Sequence, residues 1–323
     1  MSSLNLVLRQ TGRRWSSMPR EINLLGVLAV EVVVLAQLSP YFLTSSNLLG
    51  ASQFFVEIGL IALGMTLVII THGIDLSIGG ELALASVTLG FSYAAGLPLV
   101  LSILAAVAVA TSCGLLNGFL TTRWMVHPLV ITIAAAALYR GVANGVSNQE
   151  AVSKFPDWFN IFGQGKVGPI PNQLFMFVAA VVVIWILLAR ARFGRYVYAI
   201  GVNEEAARFS GVPVWRTKTL VYGLTGFLAG IAAVIYTSRV STARSDAGLG
   251  MELGVIAAVV LGGASMDGGS GTVLGTVLGV LILALLQQGL LLLPTLDSNW
   301  ILVITGGVMI GGVWVNEFFR RRD

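Results

Sequence analysis

Long apolar runs recur along this chain from residue 22 to residue 319, and nothing else in the sequence restricts the fold as much. An apolar stretch of roughly 20 residues is the length that crosses a bilayer as a helix. Within lipid, only helices and closed barrels satisfy their own backbone groups. A barrel would show short segments of alternating polarity, and these runs are continuous. The expected class is an all-α polytopic membrane protein. Composition agrees: 56% of the 323 residues are hydrophobic and 11% are charged, against roughly 25% charged in soluble domains. The 38 glycines suit close helix contact in a bilayer.

Ten segments emerge, at about 22–39, 53–71, 79–96, 97–120, 126–143, 172–190, 217–238, 249–265, 270–293 and 298–318. The third and eighth are short and glycine-rich. They read as half-helices or re-entrant elements, which gives eight to ten transmembrane or half-membrane helices in one domain, 1–323. The basic start (Arg9, Arg13, Arg14, Arg20) before an apolar run resembles a signal peptide. Glu31 interrupts that run and many spans follow, so it reads as an uncleaved first span.

Charge gives the topology. With the N-terminus inside and ten alternating segments, the inner side receives 14 of the 19 Lys and Arg residues. Arg140, Lys154, Lys166, Arg239 and Arg244 fall near the outer side. That asymmetry predicts N-in and C-in. It also accounts for the net charge of +4 without invoking nucleic acid.

The same count puts the polar stretch 190–218 in the cytoplasm. Its centre reads as a short helix. Asn203 stands at the N-cap, Glu204 and Glu205 fill the first turn, Arg208 comes late, and Gly211 is the stop. A surface helix held between two long spans suits a partner that grips it. The longest outer loop, about 144–171, reads either as a docking surface or as a solvated connector.

No phosphate loop, no HExxH and no His/Cys ligand cluster occurs. Cys113, the single cysteine, lies in an apolar run and reads as buried filler. No convergent catalytic set is present, which argues against an enzyme. Carboxylates inside spans are costly and usually functional. Glu57, Glu81, Glu252 and Glu31 are the candidates, as substrate contacts or as interhelical hydrogen bonds. The turn 71–80 holds Asp75 and Ser77 among glycines, as caps of the third helix, as a gate, or as a contact for a cytoplasmic partner. The turn 261–272 repeats the pattern around Asp267, and Gly271, Gly275 and Gly279 behind it form one smooth helix face.

Three motifs carry a family resemblance. GIDLSIGG at 73–80, GRYVYAIGVNEEAARFSGV at 194–212 and LGGASMDGGSGTVLGT at 261–276 resemble the ribose-type sugar permeases of bacterial ABC importers. These belong to the branched-chain amino acid/sugar permease superfamily. The resemblance implies a vitamin-B12-permease-like fold in the bacterial inner (plasma) membrane. It implies three partners: an ABC ATPase, a periplasmic or lipoprotein substrate-binding protein, and a second permease chain, identical or sister. ATP and Mg would be used by the ATPase, with no cofactor bound by this chain. The loop 190–218 would be the coupling loop, with contact at Asn203, Glu204, Glu205, Ala206, Ala207, Arg208, Ser210 and Gly211. Asp75, Ser77, Glu57 and Glu81, singled out above from the residues themselves, are the candidates for the gate or translocation path. A nucleoside or branched-chain amino acid substrate, or an ion-coupled secondary carrier, are the competing readings.

Overall fold

The computed structural model describes residues 20–320 apart from 125 and 295. The basic residues Arg9, Arg13, Arg14, Arg321 and Arg322 lie outside the described residues. Helices occupy all ten expected positions. They are α1 (Arg20–Leu38), α2 (Ser45–Ile70), α3 (Ile78–Ala94), α4 (Leu99–Arg123), α5 (Pro128–Ser147), α6 (Asn172–Ala189), α9 (Val214–Val240), α10 (Met251–Leu261), α11 (Val273–Leu291) and α12 (Ser298–Arg320). Between α6 and α9 come two surface helices, α7 (Arg192–Val202) and α8 (Glu204–Phe209). This is a polytopic helical membrane protein. Among the described residues, six helices are long and apolar enough to cross a bilayer, and α2 adds a seventh as a pair bent by 51°.

Of the two segments expected to be short, α3 runs to 17 residues and α10 to 11. At about 1.5 Å per residue, the 11 residues of α10 reach only about half of a ~30 Å hydrocarbon core. The first turn of α3 abuts the chain entering α10. A Cβ on Gly79 would sit 2.6 Å from Glu252 Oε2 and 2.7 Å from the Gly248 carbonyl.

The core is centred on α2 and α9. From Leu60 to Ile70, α2 is buried on every face, as a helix that is apolar all round should be. α9 packs mainly on α4 and α2. Its approach to α4 is backbone to backbone: a Cβ on Gly226 would collide with the Ala110 carbonyl, and one on Gly114 with the Tyr222 carbonyl. The smooth face predicted on α11 is used the same way. Cβ atoms on Gly275 and Gly279 would strike the carbonyls of Gly262 and Ala258, across the α10–α11 contact.

The loop after α5 is folded. Val152–Ser153 (β1) pairs antiparallel with Thr242–Ala243 (β4), and Lys166–Val167 (β2) pairs with Ile170–Pro171 (β3). A 3-10 turn at Asp157–Ile161 buries Phe159 completely, and Ser238 Oγ donates to its carbonyl at 2.6 Å. This loop is therefore a packed cap over the end of α9.

Gly279→Leu should lower the melting temperature of the purified chain in detergent by several degrees, since overpacking costs about 1–3 kcal/mol. Gly306→Ala, where an added Cβ meets nothing within 4 Å, should leave it unchanged. Equal melting of the two variants would refute the backbone contact.

Candidate functional site

Sequence features meet at two places, one at the surface and one inside the bundle. The surface place is α7–α8. Asn203 is extended (φ −160°, ψ 105°), and its side chain accepts from the Ala206 N–H at 2.8 Å, so it caps α8 as expected. Glu204 is held twice, by Arg208 Nη2 at 3.0 Å and by Lys218 Nζ at 3.0 Å. Lys218 is buried, so this pair fixes α8 against the start of α9. The Ser210 N–H donates to the Ala206 carbonyl at 3.0 Å, and Gly211 takes a left-handed φ of +82° to end the helix.

The expected contact residues divide between two faces. Asn203, Glu205, Ala206, Arg208, Ser210 and Gly211 are exposed. Ala207 turns inward and packs with Ile200 and Val214. Two residues not singled out by sequence are exposed apolar side chains, Val202 at 76% and Phe209 at 84%. Their signal was present: apolar residues on the polar side of a short capped helix. Beside α8 opens a cleft of about 540 Å3 lined by Phe119, Arg123, Arg208 and Trp215.

α7 ties this segment to both glycine-rich turns. A Cβ on Gly201 would collide with the Ile70 carbonyl and the Gly269 N–H. Those two groups are themselves bonded, Gly269 N–H to Ile70 O at 2.9 Å. The Tyr198 hydroxyl donates to the Gly271 carbonyl at 2.7 Å. His72 Nδ1 lies 2.8 Å from the Asp267 carbonyl oxygen. The two turns that look alike in sequence thus touch each other and the segment ahead of α8.

The interior place begins at the α2–α3 turn. Asp75, Ser77 and Glu81 are each fully buried. Asp75 Oδ1 accepts from the Ser77 N–H at 2.9 Å and from the Ser77 hydroxyl at 2.6 Å. Asn117 Nδ2 donates to Ser77 Oγ at 2.7 Å and to Glu81 Oε1 at 3.1 Å. Tyr139 donates to Asn117 Oδ1 at 2.8 Å. Ser77 occupies the N-cap position of α3 without capping it through its side chain. Three of the four gate or path candidates are therefore brought together and joined by Asn117 and Tyr139, polar positions within apolar runs that sequence reasoning passed over.

Glu57 does not join them. Its carboxylate takes a two-point contact from Arg239, Nε to Oε1 at 2.8 Å and Nη2 to Oε2 at 3.0 Å, linking α2 to the last turn of α9. Cys113 is buried, as expected. No group of three or more His, Cys, Asp or Glu suited to a metal ion occurs among the described residues.

A family model described as "Branched-chain amino acid transport system / permease component" matches residues 47–313. The chain belongs to this permease family. The match contains all three motifs and both places described above. Among curated relatives, the Autoinducer 2 import system permease protein LsrD of Yersinia enterocolitica is 38% identical over 281 residues, covering 85% of each chain. The protein of that name from Yersinia pseudotuberculosis is 37% identical, covering 85% of this chain and 84% of the relative. The one from Yersinia pestis is 36% identical. The likeness to ABC sugar-importer permeases drawn from the motifs therefore holds over most of the chain. A permease has no need of a catalytic constellation of its own.

Arg239→Leu should destabilise this permease by about 3–5 kcal/mol, because it strands the Glu57 charge in the interior. Adding Glu57→Leu should recover most of that loss. A thermal melt of both variants in detergent decides it, and equal melting of the single and double variants would refute the pairing.

Proposed function

We propose that this chain is the transmembrane permease subunit of a bacterial ABC importer for a sugar-like solute, with autoinducer 2 as the first substrate to test. The observation that carries the reading is the near full-length likeness to permeases of autoinducer 2 import systems. ATP and Mg act on a separate ATPase subunit. A substrate-binding protein delivers solute to the outer face, and a second permease chain, identical or sister, completes the path. The location is the bacterial inner membrane. Both termini are cytoplasmic, as the distribution of Lys and Arg supports, and the fold is of the vitamin-B12-permease type.

In this reading residues 190–218 form the cytoplasmic coupling loop, and α8 is the handle. Docking rests on the exposed residues Asn203, Glu205, Ala206, Arg208, Ser210 and Gly211, with Val202 and Phe209 as apolar anchors. Buried aromatic anchors commonly dominate the energetics of such contacts. Glu204 and Ala207 hold α8 to its own chain, so that a push on α8 reaches α7. The Gly201 contact then passes it to the turns at 71–77 and 262–272, and so to the buried group Asp75–Ser77–Glu81, whose rearrangement opens or shuts the path.

Co-expression with a partner ABC ATPase tests the docking. Phe209→Ala should cut co-purification of the ATPase by about tenfold, and Glu205→Arg should cut it as well. Each variant should stay monodisperse alone. Unchanged recovery would remove α8 from the contact. Uptake tests the transport reading: labelled autoinducer 2 should enter proteoliposomes only with ATPase, binding protein and ATP together. Uptake by this chain alone, abolished by an uncoupler, would overturn the importer reading in favour of an ion-coupled carrier.

A further inference from the structure

A cavity of about 530 Å3 opens where the short helix α10 begins. Its walls include Phe55 of α2, Met251 of α10, Gln287 and Gln288 of α11, and Thr305 and Met309 of α12. It draws on the first half of α2, the last turns of α11 and the first turns of α12. That is the end of the bundle opposite residues 190–218, the outer side in the topology proposed above.

Three features mark it as a place for a polar solute. The first is Thr305. Threonine hydroxyls elsewhere in these helices donate to the carbonyl four residues back: Thr66, Thr88 and Thr121 at 2.7 Å, Thr225 at 3.0 Å. Thr305 is 9% exposed, lines the cavity, and its hydroxyl has no hydrogen-bond partner among the described residues. A buried hydroxyl left unbonded is costly, so this one is held for something that enters. The second is the start of α10. Gly250 stands at the N-cap with a left-handed φ of 78° and offers no side-chain cap; the Met251 N–H donates to the Gly248 carbonyl at 3.2 Å, and the next N–H groups of the first turn have no acceptor within the helix. The third is the glutamine pair. Gln288 Nε2 donates to Asn47 Oδ1 at 2.8 Å, which fixes it at the wall, while Gln287 is exposed.

None of the described residues lining the cavity carries a charge. A zwitterionic amino acid would call for charged partners, whereas a neutral polyol needs hydroxyl and amide partners on an apolar wall. Short helices that stop within a bundle bring such partners to a cavity, and the 11-residue α10 begins at this one. We propose that this cavity is the permease's outward-facing site for a small, neutral, polyhydroxylated solute, with Thr305, Gln287 and the N-terminus of α10 as its polar contacts. The assignment rests on the importer reading.

The test uses the importer assembled with its ATPase and binding protein in proteoliposomes, with labelled autoinducer 2 as the probe. Thr305→Val and Gln287→Leu should each reduce uptake about tenfold, with basal ATP hydrolysis unchanged. Gln287→Cys in a Cys113→Ala background should react with a membrane-impermeant maleimide from outside, and more slowly during import. Gln287 is exposed, so its variants report even if Thr305→Val fails to fold. Parental uptake in the variants, or a labelling rate that import leaves unchanged, overturns the site. Failure of the parent importer to take up the probe would instead sink the importer reading.

Discussion

A helix that breaks in a packed interior must return its freed N–H and C=O groups to protein, because an unpaired buried backbone group is costly. This chain breaks its helices at 71–77, 241–250 and 262–272, and the rest of the architecture answers to those breaks. The Ile70 carbonyl receives the Gly269 N–H. The Ile74 carbonyl receives the Thr132 hydroxyl. Arg140 Nη1 donates to the carbonyls of Ser245 and Ala247, each at 2.8 Å. Tyr198 reaches the Gly271 carbonyl. Each break is thus closed by a group from a distant part of the sequence, so none can move alone.

That closure gives the permease its mechanical character. Two turns and α7 share one backbone contact, with Gly201 at its centre, and α7 runs into α8 through the single residue Asn203. Packed interiors of this kind switch between discrete arrangements and do not stretch. A displacement of α8 therefore has a short, stiff route to Asp75, Ser77 and Glu81. The Glu57–Arg239 pair works at the other end of α9, where it joins α2 to the helix on which α4 also packs.

Much of this was legible in the chain. Apolar length alone located ten helices, and glycine density marked two as short: α10 is, at 11 residues, whereas α3 runs to 17. The α8 cap was readable because Asn203 with Glu204 and Glu205 is a local signal, confined to one turn. The spacing of Gly275 and Gly279 announced a contact, although not its partner. What sequence could not give is tertiary pairing. Asn117 and Tyr139 sit in runs that read as membrane-grade, and only the approach of α4 and α5 to the α2–α3 turn makes them partners of Ser77 and Glu81. Arg239 read as an outer charge by the topology rule, yet its guanidinium folds back onto Glu57. Ala207 read as a contact residue, and it turns inward because the helical period puts it on the face toward Ile200. The exposure of Phe209 followed from the same geometry.

The junction at Gly201 bears the whole mechanical scheme, and one ratio measures it: solute imported per ATP hydrolysed in the reconstituted importer. Gly201→Ala places a methyl group against the Ile70 carbonyl and the Gly269 N–H. The expected result is ATP hydrolysis near the parental rate with import reduced by about tenfold or more, a coupling loss of ordinary size. Import and hydrolysis that keep the parental ratio in this variant would contradict the scheme.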